Sequence, residues 1–320
     1  CLSTLKILEK LGVKYEFISE KDLILDSSNV DFSDLSEINS SVITLDCGNS
    51  GTTTRLLAGL FARSNLAVEL IGDSSLSKRP MKRIITPLGL MGADIESNEN
   101  KLPLIIKGKK LKAIEYSSPI SSAQIKSCLI LAGLGIEEET TIYEPSLSRN
   151  HSEIMLEYLE ADIKTGKCEK GFYTKIKKSP LKPKDIEIAG DISSCAFFMV
   201  AGAIVPNSSI IIKNVGINPT RTGILDVFEQ SGVDFELLNK RTVCNEPVCD
   251  IKVQYTKNLK PFKISGDLIP RLIDEIPILA VFASQIEGKS IVSDAQDLRN
   301  KESDRIRTIV ETFEKLNIDI

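Results

Sequence analysis

The sequence predicts an α/β protein in which buried helices are enclosed by short outer sheets. Three observations carry that expectation. An amphipathic helix, a break and a short alternating strand recur five times along the chain. A small polar residue followed by an arginine precedes four of those helices. Between these phrases lie helices apolar on almost every side, and such helices must be surrounded by other elements.

The recurrent phrase reads LEKLGVKYEF at 8–17, PLGLMGADIES at 87–97, LEYLEADIKT at 156–165, FEQSGVDFEL at 228–237 and FEKLNIDI at 313–320. Its pivots are Gly12, Gly92, Glu160, Gly232 and Asn317, spaced 80, 68, 72 and 85 residues apart. A near-constant period signals repeated supersecondary units. Glycine or asparagine at the pivot suits a helix C-cap, and the alternation after it suits a half-buried strand.

The arginine phrases are SLSKRPM at 75–81, SLSRNHS at 146–152, NPTRTG at 218–223 and NKESDRI at 300–306, carrying Arg79, Arg149, Arg221 and Arg305. Any one of them reads equally as an N-cap beside a solvated cation. Four in register point to cations lining a shared cleft. The apolar helices are expected at 121–134, 190–204 and 273–284, each opened by small polar or acidic residues.

A further helix is expected after the polar loop GNSGTTT at 48–54, with Arg55 opening an apolar run through Leu56, Leu57, Leu60 and Phe61. The glycines let backbone N–H groups approach a ligand, the hydroxyls add donors, and the helix start and Arg55 add positive charge. A receptacle for a small anion and a glycine-rich turn before a core helix both fit this segment taken alone.

Bulk properties narrow the function classes. A chain of 320 residues with 42% hydrophobic content can bury a large core in two domains. The boundary is expected near 189–191, giving domains 1–189 and 190–320, after a lysine-rich, irregular stretch at 166–183. A net charge of −4 and a pI near 5.4 support neither a nucleic-acid nor a membrane partner. The longest apolar run, 195–206, is too short to span a bilayer, and no leader pattern is present. Seven cysteines without a CxxC pair are expected to be mostly small buried hydrophobes of a reducing, cytoplasmic compartment. His151 is the only histidine, which excludes HExxH zinc chemistry and disfavours Ser-His-Asp or Cys-His devices. Catalysis then rests on Lys, Arg, Asp, Glu and backbone donors.

The blocks GNSGTTTR, LSKRPM, SSAQIKS, SLSRNHSE, GDISS, NPTRTGILD, LIDEIPILA and LRNKESDRI together resemble 5-enolpyruvylshikimate-3-phosphate synthases, in order, from Cys1 to Ile320. The resemblance implies the two-domain enolpyruvyl transferase fold, an inside-out α/β barrel of βαβαββ units. It implies transfer of the enolpyruvyl group of phosphoenolpyruvate to the 5-hydroxyl of shikimate 3-phosphate, without metal or organic cofactor. The implied partners are those two small molecules, and a monomer is expected.

Carried over by position, the resemblance places Asn49, Gly51 and Thr52 at phosphoenolpyruvate, with Arg79 as a cation for its phosphate or carboxylate. Ser122, Ala123, Gln124 and Ser148 match contacts to shikimate 3-phosphate, and Gln124 also faces the second substrate. Asp274 matches the carboxylate at the 5-hydroxyl, Glu302 the acid near the methylene, and Lys301 and Arg305 the anion contacts. Protonating the methylene makes C2 electrophilic, and the attacking hydroxyl must lose its proton, so two carboxyl groups with opposite duties are required. Taken singly, Glu302 also reads as part of a surface ion-pair run, and Asp274, Glu275, Ser121 and Ser122 as N-caps. His151 reads as a satisfied local residue or a substrate-side contact.

The family's N-terminal Lys-Ser…Arg segment and its C-terminal Asp-His-Arg block and later Lys have no counterpart here. The chain opens on Cys1 near a helix start and stops within a repeat, so the 320 residues alone are expected to be inactive. The sibling transferase acting on UDP-N-acetylglucosamine resembles the chain in its Arg-Pro pair. It carries a reactive cysteine where Ser74, Ser75 and Ser77 stand, and it lacks the KESDR block. A non-catalytic anion-binding scaffold is the alternative from another class, and the presence of both Asp274 and Glu302 argues against it. Gly51 leaves the phosphoenolpyruvate pocket open, so sensitivity to the family's inhibitor glyphosate is expected.

Overall fold

The computed structural model describes residues 2–32 and 41–320; Cys1 and the side chain of Asn300 lie outside the described residues. The chain forms two compact units, one of Cys1–Pro145 and Ala161–Pro180, the other of Ser146–Glu160 and Leu181–Ile320. This division differs from a single boundary at 189/190. The segment 146–160 folds with the second unit because Arg149, Asn150 and His151 bond to Asp274, Asn218 and Glu246.

The repeated phrase becomes a repeated topology. In the first unit, strand Val42–Asp46, helix Gly51–Ala62, strand Ala67–Ile71, helix Lys82–Leu90 and the hairpin Asp94–Asn98 with Lys101–Lys107 make one βαβαββ motif. Its two leading strands pair in parallel, and the hairpin adds antiparallel. The same order and pairing return in Glu115–Ser117, Ala123–Gly133, Thr140–Glu144, His151–Tyr158, Ile163–Cys168 and Gly171–Ile176. In this copy the helix His151–Tyr158 counts with the second unit.

In the second unit the leading strand shrinks to one parallel bridge, Gly190 to Val215, before helix Ile192–Ile204. Strand Ser209–Gly216, helix Gly223–Ser231 and the hairpin Asp234–Val243 with Glu246–Gln254 complete the motif. A shorter copy follows, with strands Lys263–Ile264 and Ile291–Val292 in parallel around helix Ile276–Ser284, and then helix Arg305–Lys315.

All five pivots adopt the left-handed conformation: Gly12 at φ 97°, Gly92 at 93°, Glu160 at 65°, Gly232 at 74° and Asn317 at 54°. The chain therefore reverses at the same point of each unit, directly after an amphipathic helix.

In the first unit, helices Gly51–Ala62 and Ala123–Gly133 meet backbone to backbone. A Cβ on Gly59 would lie 2.0 Å from the Cys128 carbonyl oxygen, so only glycine permits this approach. The second unit packs Phe228, Phe262 and Phe282 in its core with ring centroids 5.5 and 5.9 Å apart. Burying each such ring contributes about 2 kcal/mol.

Four local expectations are corrected. Helix Gly51–Ala62 starts four residues before Arg55, because the Ser50 hydroxyl accepts from Thr53 N and caps it there. The lysine-rich stretch is not irregular: its first half completes an antiparallel hairpin that turns at Gly171, φ 109°. Helix Ile192–Ile204 is not buried all round, since Phe197 and Phe198 remain 53% and 64% exposed; an apolar side chain need not be covered. Of the six described cysteines, Cys47, Cys128 and Cys249 are buried, whereas Cys168 ends a strand, Cys244 sits in a hairpin turn and Cys195 is half-buried. Among the described residues, no helix is long and apolar enough to cross a membrane.

Candidate active site

The first unit gathers its expected residues at the N-terminal ends of its two central helices. The Asn49 side chain bridges two partners, accepting from Arg79 Nη2 at 2.9 Å and donating to Asp73 Oδ2 at 2.5 Å. Gly51 begins the helix with its open Cα facing the arginines: an added Cβ would lie 3.0 Å from Arg55 Nη1 and 3.2 Å from Arg79 Nη1. Thr52 Oγ1 accepts from Gln124 Nε2 at 3.0 Å, and Gln124 Oε1 accepts from Arg55 Nη1 at 2.6 Å. Gln124 thus ties the two helix starts together. Ser122 holds the N-cap position with no capping bond from its hydroxyl, and Ala123 is the first helical residue. The capping role therefore does not account for the Ser122 side chain.

Arg55 was legible as a charge but not as a buried one. It is 7% exposed, and among the described residues its guanidinium bonds only neutral oxygens, those of Gln124 and Pro80. Burial, with Arg83 and Arg79 alongside, pushes its pKa down. Cations gathered at Arg55, with no carboxylate bonded to it among the described residues, create a site that an anion stabilises.

The second unit assembles its residues around Asp274. Its Oδ2 accepts from Arg149 Nη2 at 2.6 Å, and its Oδ1 accepts from Arg305 Nη1 at 3.1 Å, with Lys301 Nζ 3.7 Å away. Burial alone would raise the Asp274 pKa, but Lys301, Arg149 and Arg305 outweigh it and hold the carboxyl far below the usual range. Burial lowers the Lys301 pKa, opposed by Asp274 and aided by Arg305 and Arg149. Glu302 Oε2 accepts from Arg305 Nη2 at 2.9 Å and is half exposed. Asp304, not Glu302, caps the following helix, accepting from Arg307 N at 3.0 Å. Ser148 is buried directly before Arg149.

Sequence reasoning left Glu275, Ser193 and Asp191 without roles at this site. Glu275 is fully buried at the N-cap of helix Ile276–Ser284, yet makes no capping bond; it accepts from the Ser193 hydroxyl at 2.7 Å. Ser193 Oγ and Asp191 Oδ1 in turn accept from Arg221 Nη2 at 2.5 and 2.6 Å. The repeated arginine phrase was the available signal for Arg149 and Arg221. In the second unit its arginines are not solvated, with side-chain exposures of 27% for Arg149, 16% for Arg221 and 25% for Arg305. His151 Nδ1 lies 2.6 Å from Glu246 Oε1, which makes it a locally paired residue.

Repeated βαβαββ motifs whose helix starts carry arginines define an enolpyruvyl transferase fold. The enolpyruvyl transferase NikO from Streptomyces tendae matches at a TM-score of 0.68 and 16% identity, over 90% of this chain and 65% of that one, a likeness of fold alone. A solved EPSP synthase from Acinetobacter baumannii matches at a TM-score of 0.82 and 37% identity, over 98% of this chain and 69% of that one. The 3-phosphoshikimate 1-carboxyvinyltransferase of Thermoanaerobacter pseudethanolicus is 46% identical over 322 residues, covering all of this chain and 73% of its relative. That of Gloeothece citriformis is 48% identical over 307 residues, covering 95% and 67%. The family profile of EPSP synthase (3-phosphoshikimate 1-carboxyvinyltransferase) matches residues 1–320, and the chain belongs to this family of shikimate-pathway transferases.

Proposed function

We propose that the protein transfers the enolpyruvyl group of phosphoenolpyruvate to the 5-hydroxyl of shikimate 3-phosphate and releases phosphate. The observation that carries this reading is Asp274, a carboxylate held ionised by Arg149, Lys301 and Arg305. In the proposed mechanism, Glu302 protonates the methylene and C2 becomes electrophilic. The 5-hydroxyl attacks C2 while Asp274 takes its proton. The C2–O bond to phosphate then breaks, and the new methyl group returns a proton to restore the double bond. The cations position mutually repelling anions and stabilise the charge that develops.

In the first unit we assign Asn49, Gly51, Thr52 and Arg79 to phosphoenolpyruvate, with Arg55 supporting them through Gln124. We assign Ser122, Ala123, Gln124 and Ser148 to shikimate 3-phosphate, and Lys301 and Arg305 to the transferring anions. The proposed partners are these two small molecules, and the proposed working form is a cytoplasmic monomer. Calorimetric titration of the intact gene product tests the reading: saturable binding of shikimate 3-phosphate is expected, and binding of UDP-N-acetylglucosamine in its place would overturn it.

A further inference from the structure

Three consecutive residues, Arg149, Asn150 and His151, each anchor a side chain elsewhere in the second unit. Arg149 donates to Asp274 Oδ2 at 2.6 Å. The other two side chains join a closed circuit of hydrogen bonds around Asn218, which is 2% exposed. Asn218 Oδ1 accepts from Thr220 N at 2.9 Å and from the Thr220 hydroxyl at 2.7 Å. A backbone N–H only donates, so the orientation of the amide is fixed. Asn218 Nδ2 therefore donates to Asn150 Oδ1 at 2.8 Å and to Glu246 Oε2 at 3.1 Å. Both donors and both lone pairs of Asn218 are thus used. Glu246 Oε1 closes the circuit on His151 Nδ1 at 2.6 Å.

Asn150 holds the N-cap position of helix His151–Tyr158 but makes no capping bond there; its side chain serves the circuit instead. Asn218 precedes helix Gly223–Ser231 and Glu246 opens strand Glu246–Gln254, so both stand on regular elements of the repeat. Burial alone would raise the Glu246 pKa, but His151 and Asn218 outweigh it and lower it. An ionised carboxylate has no proton to give, so His151 Nδ1 is the donor. His151 Nε2 is buried with no hydrogen bond among the described residues. Among those residues Glu246 is therefore the group that sets which ring nitrogen carries the proton.

We propose that Asn218 and Glu246 are positioning residues for the reaction: by holding Asn150 and His151 they aim the preceding Arg149 at Asp274. This rests on the functional reading above, in which Asp274 takes the 5-hydroxyl proton. A displacement of about 1 Å at Arg149 is enough to break its bond to Asp274 and to misplace that carboxylate.

The test is steady-state kinetics of the intact gene product, with ring 15N NMR of His151 assigned by the signal lost in His151→Gln. Asn218→Ala is expected to lower kcat about tenfold and to leave the KM for phosphoenolpyruvate within about twofold. In an Arg149→Ala background it lowers kcat by less than about twofold, because it acts through Arg149. Asn218 is buried, so Glu246→Gln supplies a second, nearly isosteric variant. Glutamine keeps one acceptor and replaces the other by a donor. The acceptor serves Asn218 Nδ2, and the donor meets His151 Nδ1, which must then be unprotonated. The circuit survives with a neutral His151 whose proton sits on Nε2, and breaks when acid protonates both nitrogens. Histidine changes charge between about pH 5 and 8. The kcat of Glu246→Gln is therefore expected within about twofold of wild type at about pH 8.5 and near one tenth of it at about pH 5.5. Tyr158, Glu187, Asp191, Arg221 and Cys244 line the cavity that His151 and Glu246 share, and the ratio to wild type cancels their titration. An unchanged kcat in Asn218→Ala, a further tenfold loss in the Arg149→Ala background, or a Glu246→Gln ratio independent of pH overturns the proposal. A wild-type protein without turnover overturns the functional reading, and the ring signal still decides the circuit. The His151 proton is expected to move from Nδ1 to Nε2 in Glu246→Gln at about pH 8.5, and a proton that stays on Nδ1 overturns the proposal.

Discussion

Asp274 and Arg149 lie 125 residues apart in sequence and share a hydrogen bond of 2.6 Å. Each comes from a repeat of the same phrase-bearing topology, and each would be poorly placed without the other. Asp274 without Arg149 is a half-buried carboxylate with weaker support; Arg149 without Asp274 joins Arg221, Lys301 and Arg305 in mutual repulsion. The pair explains why the segment 146–160 folds with the second unit.

Replacing Asp274 by Asn keeps the shape and removes the charge. Turnover is expected to fall by at least about a hundredfold, the range of a lost general base. Stability falls as well, on the order of 2 kcal/mol for a partly exposed member of such a cluster. Stopped kinetics with an unaltered melting profile, or the converse, would separate the two contributions.

The pH dependence of stability follows from the same cations. Asp274 has its pKa depressed in the folded state, so its contribution is complete above the ordinary carboxylate range and is lost as pH falls below it. Glu275 has its pKa raised, so it opposes folding as pH rises through the ordinary glutamate range. Melting temperatures recorded from pH 3 to 7 should therefore fall more steeply toward acid in wild type than in Asp274→Asn. In Glu275→Gln the neutral-pH melting temperature should match or exceed that of wild type.

At Gly51, a methyl group would press on two guanidinium groups at 3.0 and 3.2 Å. Gly51→Ala is expected to shift Arg55 or Arg79, raising the KM for phosphoenolpyruvate several-fold and the glyphosate inhibition constant by more. Equal inhibition constants for wild type and Gly51→Ala would contradict the placement of this pocket.

Two glycines test the packing independently of function. Gly59→Ala would drive a Cβ to 2.0 Å from the Cys128 carbonyl, a backbone clash that a helix cannot absorb, and should cost more than about 3 kcal/mol. Gly92→Ala meets nothing within 4 Å but keeps φ at 93°, so it should cost only about 1–2 kcal/mol of conformational strain. Urea denaturation of the two variants gives the order directly.

Burial pushes the Cys128 thiol up to about 12, so it remains protonated at pH 8. Iodoacetamide at that pH should leave Cys128 unmodified in the folded protein and modify it after unfolding.

Much of the fold was legible because it repeats. Gly12, Gly92, Glu160, Gly232 and Asn317 stood out by period alone, and all five carry the left-handed turn. Helix starts were less legible, since Ser50 caps four residues earlier than the apolar run suggests. The lysines of 163–176 obscured a hairpin whose register depends on the neighbouring strand Thr140–Glu144. At the candidate site, Asp274, Lys301 and Arg305 were singled out by their motifs, and these side chains lie together with Glu302 in one ion-pair cluster. Gln124, Thr52, Asn49 and Arg79 likewise converge. Glu275 was hidden because an acid before an apolar helix reads as a cap. Only the Ser193 hydroxyl, 82 residues away, shows otherwise.

Phosphate release by the intact gene product, supplied with phosphoenolpyruvate and shikimate 3-phosphate, tests the central claim most directly. Release that requires both substrates, with the enolpyruvyl group recovered on the 5-oxygen and lost in Asp274→Asn, is the predicted result. Release with UDP-N-acetylglucosamine instead, or full turnover in Asp274→Asn, would contradict the account.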